Sequence, residues 1–213
     1  MPKKFDAILF DLDGTLLDSR ELIFQSFFNT LLKYDISLSR EEIFLRIQGL
    51  RLSECYQLLA SQYDAEELSR SHREIENQFL HLSKPFGNVK ETLTALSQSI
   101  LKKAVITNRG GPSVIKTLEL ADILHHFQAI ITIDDVANGK PHPEPIWKAL
   151  SMLNVSAART VMVGDTDVDI IVGKEAGVIT IGVTYGLHGK DIEKNNPDFL
   201  VHDIREILLI ILD

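Results

Sequence analysis

The placement of short Ile- and Val-rich runs constrains this chain more than any other feature. Apolar stretches at residues 7–12, 104–107, 129–133, 160–163 and 178–183 each end at polar or glycine-rich residues. They are too short for helices and do not alternate with polar residues, as expected of strands buried on both faces of a parallel sheet. Between the later runs, residues 89–98, 112–121, 144–153 and 169–176 carry apolar side chains at helical spacing. Strand and helix alternate from about residue 89 onward, which predicts an α/β fold with a doubly wound, Rossmann-like parallel sheet.

Residues 17–85 break that alternation. Leu22, Ile23, Phe27, Leu31 and Leu32 recur at helical spacing, and further helical segments follow at 40–47, 52–62 and 65–82. The expected organisation is therefore a core of residues 1–16 and 86–213, with an α-helical cap domain of residues 17–85 inserted after the first strand. Residues 15–18 would lead out of the core, and Pro85-Phe86-Gly87 would lead back, since proline and glycine punctuate helices.

Composition narrows the function classes. A chain of 213 residues that is 45% hydrophobic and 24% charged can build a core without disulfides or structural zinc. The one cysteine, Cys55, has no partner for an internal disulfide and reads as a small buried hydrophobe. A net charge of −8 argues against nucleic acid or an acidic membrane as partner. The apolar stretch after the basic start breaks at Asp6 and Asp11, too early for a signal peptide or a membrane span, so the expected location is cytoplasmic. A monomer is the default expectation. Asn154-Val155-Ser156 fits a glycosylation sequon and reads as chance in such a chain.

The polar groups at the strand ends carry the chemistry. Asp11-Leu12-Asp13-Gly14-Thr15 follows the first run, and open parallel sheets bind ligands beyond the carboxyl ends of their strands. Alone this could be a polar turn, in which aspartate and glycine are common. The second run ends in Thr107-Asn108, the third leads to Asn138-Gly139-Lys140-Pro141, and the fourth ends in Gly164-Asp165-Thr166-Asp167-Val168-Asp169. Together they supply carboxylates, a hydroxyl and a lysine where a sheet presents its ligand. Asp11 is ionised at neutral pH and needs no base to act as a nucleophile. Hard oxygen ligands from Asp11 and Asp165 suit Mg²⁺, which would screen a phosphate from that carboxylate. Thr107 can donate to a phosphate oxygen, and Lys140 adds positive charge. No Cys/His cluster, phosphate-binding glycine loop or serine elbow is present.

These motifs, in this order, resemble the haloacid dehalogenase superfamily, and in particular its phosphoglycolate phosphatase-like phosphatases with a helical cap after the first motif. The resemblance implies that Asp11 attacks phosphorus, while Asp13 protonates the leaving oxygen and then activates water. It implies that Asp11, Asp165 and the backbone carbonyl of Asp13 bind Mg²⁺, and that Thr107 and Lys140, with Asn108 nearby, hold the phosphate. Asp169 would orient Lys140 or metal-bound water. The expected activity is Mg²⁺-dependent hydrolysis of a small phosphorylated metabolite through an aspartyl-phosphate. A phosphomutase or other phosphotransferase, and a noncatalytic regulatory binder, are the alternatives.

Several residues sort these options. Dehalogenase-type members typically lack the second aspartate, and Asp13 is present. Capped mutases typically carry a histidine ten residues beyond it, where this chain has Ile23. Phosphonate-cleaving relatives need a cap lysine, and the early cap offers Lys33 at a helix end. Asp18-Ser19 and Lys140-Pro141-His142-Pro143 point toward phosphoglycolate phosphatase-like members, although relatives with other substrates share them. The loop of residues 46–51 is the candidate cap contact, with Gln48 or Arg51 touching substrate; ordinary solvated charge is the competing reading for Arg46 and Arg51. Blander roles fit His125-His126 (not a metal pair), His142 (a loop residue between prolines, with a role at the site's edge as the alternative), Trp147 (core packing), Asp167 (solvated loop) and Asp134-Asp135 (loop near the site).

Overall fold

A computed structural model describes residues 5–47 and 50–212. Its elements in chain order are β1 (Ala7–Phe10), β2 (Leu17–Asp18), α1 (Arg20–Leu32), α2 (Arg40–Ile47), α3 (Leu52–Leu59), α4 (Ala65–Phe79), β3 (Lys84–Pro85), α5 (Val89–Ser97) and β4 (Lys102–Ile106). Then come α6 (Gly111–Leu120), β5 (Ala129–Ile131), α7 (Glu144–Leu153), β6 (Thr160–Gly164), α8 (Asp167–Glu175), β7 (Ile179–Val183), β8 (Phe199–Val201) and α9 (Ile207–Leu212).

Six strands form a parallel sheet in the order β5-β4-β1-β6-β7-β8. The chain lays β4 and β5 to one side of β1, then crosses back to build β6, β7 and β8 on the other. That reversal opens a crevice at the carboxyl end of β1, where such sheets bind ligands. In register, Phe10 stands beside both Val105 and Val163, so Asp11 emerges at the level where β4 and β6 also end.

The lack of alternation in the strands is explained by apolar cover on both faces. Ile8, Phe10, Val105, Val163 and Ile181 pack with α5, α6 and α9 on one side. Ala7, Leu9, Ala104, Ile106 and Met162 pack with α7 and α8 on the other. The Ile, Leu, Val, Phe and Met side chains buried this completely contribute about 1.5–3 kcal/mol each. Asn154, with φ 51°, ends α7 in the left-handed conformation that asparagine tolerates.

Helices α1–α4 close around a separate apolar cluster that includes Phe27, Leu31, Ile43, Tyr56 and Leu68, with Cys55 buried among them. Two passages of chain join this helical block to the sheet, and they run side by side. Leu17 pairs with Pro85 and Asp18 with Lys84 as a two-stranded antiparallel ladder, and buried Ser19 and Ser83 share a hydrogen bond of 2.8 Å.

Three features depart from the sequence reading. β8 is a sixth strand of only three residues, partly exposed, with too few apolar positions to form a pattern. The helices expected over 52–62 and 65–82 stop at Leu59 and Phe79, the second giving way to a 3₁₀ turn at Leu80–Leu82. Trp147 is not core packing: it is 51% exposed on the outer face of α7, edge-on to His142. No helix among the described residues is long and apolar enough to cross a membrane.

Candidate active site

Asp11 leaves β1 with its backbone N–H donating to the Val163 carbonyl, so the last hydrogen bond of the sheet fixes where its carboxylate points. Gly14 follows at φ +95°, and a Cβ there would lie 2.3 Å from the Asp165 carboxylate. Only glycine allows the turn and that approach together. Leu16 and Leu17 then return N–H groups to the Leu12 carbonyl, closing a tight loop around Asp13.

The other groups converge on Asp11 through similar local devices. β6 ends at Gly164, and Thr166 begins α8 with a capping box in which its N–H and hydroxyl both donate to Asp169 Oδ2, at 3.1 and 2.7 Å. The second oxygen of Asp169 accepts from Lys140 Nζ at 2.6 Å, and Asp11 accepts from the same nitrogen at 2.5 Å. Asn108 clamps the Lys140 backbone at both ends: its amide donates to the Lys140 carbonyl and its oxygen accepts the Lys140 N–H, each at 2.8 Å. Asp165 is fully buried and accepts from the Thr15 hydroxyl at 3.0 Å and the Leu187 N–H at 2.6 Å. Thr107, also buried, accepts the Arg109 N–H at 3.1 Å.

The electrostatics are unbalanced. Oxygens of Asp11, Asp165 and Asp169 lie within 4.8 Å of one another, all buried, and Lys140 is the ammonium among them. Three carboxylates against one ammonium leave an excess of two negative charges, a deficit that a divalent cation or bound protons would fill. Burial, chiefly, pushes the Asp11 carboxyl well above the usual carboxylate range; Lys140 opposes this, while Asp169 and Asp165 add to it. Asp165 is pushed up to about 7, by burial first and Asp169 next. Burial works against the Lys140 charge, but Asp11 and Asp169 more than offset it, so its ammonium is held above the ordinary lysine range. An all-oxygen donor set with this charge excess fits a hard divalent cation.

Asp13 stands apart from this cluster, its carboxylate accepting from Arg109 Nη1 at 2.7 Å. Arg109 is held in turn by Ser113 and Thr117 of α6, and its Nε lies 3.4 Å from Glu76 of α4. Burial raises the Glu76 carboxyl, with Arg109 opposing. A cavity of about 340 Å³ lies between the carboxyl end of the sheet and the helical block, and Asp11, Asp13, Thr107, Asn108 and Lys140 line its floor. Arg51, at the start of α3, lines its upper wall. Gln48 lies outside the described residues.

The structure thus brings Asp11, Thr107, Asn108, Lys140, Asp165 and Asp169 together, with Asp13 on the same cavity floor but bonded to Arg109. The Asn108 side chain is committed to Lys140, so any hold it has on a ligand comes through its backbone. Arg109, Glu76 and the loop of Tyr185-Gly186-Leu187 were missed by sequence reasoning. Arg109 directly follows Thr107-Asn108, and Glu76 sits in a polar helical stripe; both signals were present. The Leu187 contact joins the loop after β7 to the end of β6, which no local pattern predicts. Asp134 and Asp135 bond to the Gly111 N–H and to Thr132 respectively, bracing the loops beside the cavity. His125 and His126 stack on each other, and His126 bonds Ser97, away from the carboxylates.

The pattern of the haloacid dehalogenase-like hydrolases matches residues 8–183. The chain is 34% identical over 212 residues to pyrophosphatase PpaX of Bacillus anthracis (strain A0248), covering 99% of this chain and 98% of that one. A crystal structure of a predicted phosphoglycolate phosphatase from Haemophilus somnus 129PT superposes with a TM-score of 0.88 at 26% identity, covering 99% of both chains. CbbY from Rhodobacter sphaeroides, in complex with phosphate, shares the fold at a TM-score of 0.86 and 22% identity, over 95% of this chain and 96% of that one. With its carboxylate-lined crevice and this match over most of its length, the chain belongs to the haloacid dehalogenase-like hydrolase family, among its phosphatases.

Proposed function

We propose that the chain is a Mg²⁺-dependent phosphohydrolase that cleaves a small organic phosphomonoester through a phosphoryl group carried on Asp11. The observation that carries this reading is the placement of a buried carboxylate, Asp11, at the floor of the cavity beside Lys140 and Thr107, with a second carboxylate, Asp13, at hand.

In the first half of the reaction an Asp11 oxygen attacks phosphorus and the bond to the ester oxygen breaks. Protonated Asp13 delivers its proton to that departing oxygen, so an alcohol leaves rather than an alkoxide. In the second half Asp13, now a carboxylate, takes a proton from water as the water oxygen attacks phosphorus, the bond to Asp11 breaks, and phosphate departs. Lys140 and the Thr107 hydroxyl bear on the non-bridging oxygens, and the Asn108 N–H, which donates to no described residue, is a further donor. Asp169 holds Lys140 in place. Asp11, Asp165 and the Asp13 carbonyl would hold Mg²⁺, which when bound would offset phosphate charge against the carboxylates. Residues 17–85 act as a cap whose movement at the paired β2 and β3 passages admits substrate and excludes water.

The test is phosphate release from an aryl phosphate. Release should require Mg²⁺, stop on chelation, and be lost in Asp11→Asn. Asp13→Asn should slow esters with poor leaving groups far more than those with good ones. Equal slowing of both would remove Asp13 from the proton-transfer role.

A further inference from the structure

The face that α4 turns to the cavity is polar where a buried helix face is ordinarily apolar. Ser69, His72, Arg73 and Glu76 follow one another at the spacing of a single helix face, and all four line the cavity. Ser69, His72 and Glu76 are 3%, 5% and 6% exposed. Burying polar groups is unfavourable unless they find partners, so such a stripe calls for internal bonds or an occupant.

Internal bonds satisfy it in part. The Ser69 hydroxyl donates to the Ala65 carbonyl at 2.6 Å and keeps its acceptor capacity, and Glu76 lies against Arg109. His72 Nδ1 shares a hydrogen bond of 2.8 Å with the Tyr56 hydroxyl, while its Nε2 makes none among the described residues. Burial, with Arg109 and Arg73 adding, lowers the ring to about 3, so it is a neutral imidazole with one nitrogen to offer. Whether that nitrogen donates or accepts depends on the tautomer, and a hydroxyl group answers to either.

Apolar residues complete the lining: Ile23 and Phe27 of α1, the Phe27 ring 4.6 Å from that of His72, and Phe44 and Ile47 of α2. An occupant of this space meets both hydrogen-bonding groups and carbon. Inorganic phosphate, the leaving group of pyrophosphate, has no apolar surface to set against that carbon, and the charges in the lining are mixed, Glu66 and Glu76 with Arg51, Arg73 and Arg109. The cavity's 340 Å³ also exceeds what a two-carbon acid requires.

We propose that Ser69, His72 and Glu76 on α4 select the leaving group, and that this group is a polyhydroxylated alcohol, so that the substrate is its phosphomonoester. The proposal rests on the phosphohydrolase reading and names the substrate class for the same site. It differs from the reading in which the loop before α3 sets specificity, because it places recognition on the long helix.

The experiment compares kcat/KM of the full chain on a panel of sugar phosphates, on pyrophosphate, on phosphoglycolate, on ethyl phosphate and on phenyl phosphate. The best sugar phosphate should exceed pyrophosphate and phosphoglycolate by about tenfold or more. In His72→Phe and Glu76→Gln, kcat/KM for that sugar phosphate should fall about tenfold further than for ethyl phosphate, whose leaving group is equally poor but has no hydroxyl to recognise. The ratio is read within one preparation, so a partly unfolded variant does not disturb it. Preference for pyrophosphate or phosphoglycolate overturns the proposal, as does an unchanged ratio in both variants. Absence of release from every compound, phenyl phosphate included, overturns the phosphohydrolase reading itself.

Discussion

The charge excess around Asp11 makes a prediction about stability that is independent of turnover. Oxygens of Asp11, Asp165 and Asp169 sit within 4.8 Å of one another, and Lys140 answers only part of their charge. At an effective dielectric near 20, two like charges at such a distance repel by roughly 3 kcal/mol. A divalent cation that binds the folded chain and not the unfolded one relieves this. At about a hundred times its dissociation constant it stabilises by about 2.7 kcal/mol. For a chain of this size each kcal/mol moves the midpoint by about 2–4 °C, so Mg²⁺ should raise it by roughly 5–10 °C. Differential scanning fluorimetry with Mg²⁺ against chelator reads the shift directly. Asp165→Asn should shrink it to about 1 °C or less, because a neutral amide replaces a charged ligand. A shift that Asp165→Asn leaves at full size would refute the assignment of the cation to this cluster.

Two further perturbations follow from the geometry. His72 is held neutral down to about pH 3, whereas the unfolded ring takes a proton near 6.5. Stability is therefore lost as pH falls below about 6.5, by about 2 kcal/mol at pH 5, and urea unfolding of His72→Gln should show a shallower acid loss by that amount. Glu76, with its raised carboxyl, works in the opposite direction in both proteins and cancels in the comparison. A Cβ at Gly186 would lie 2.2 Å from Asp165 Cβ, so Gly186→Ala should cost about 1–3 kcal/mol and most of the activity. Gly87→Ala, with no atom within 4 Å, should stay within about 0.5 kcal/mol, and equal losses in the two variants would contradict the packing assigned to the Leu187 loop.

The sheet was legible because its strands are buried on both faces, which leaves unbroken apolar runs with chemistry at their ends. Asp11, Thr107, Lys140 and Asp165 could be placed from that alone. β8 was not legible, since three edge residues, two of them half-covered, carry no pattern. Trp147 misled because an aromatic at helical spacing predicts burial, yet Ile146, Ala149 and Leu153 already fill the inward face of α7. Asn108 was placed at the site, but the pairing of its side chain with the Lys140 backbone was not legible: it joins two strand ends, and distance along the chain hides it. Arg109 and Glu76 were overlooked for a related reason. Each reads as a surface charge on its own helix or loop, and only the packing of α4 against α6 turns them into neighbours of Asp13.

The central claim is that Asp11 carries the phosphoryl group. Acid quenching during turnover of an aryl phosphate, followed by peptide mass analysis, tests it most directly. A phosphoryl mass increase should appear on the peptide containing Asp11 and disappear in Asp11→Asn together with turnover. Undiminished turnover in Asp11→Asn, or a phosphoryl group trapped on another residue, would contradict the account.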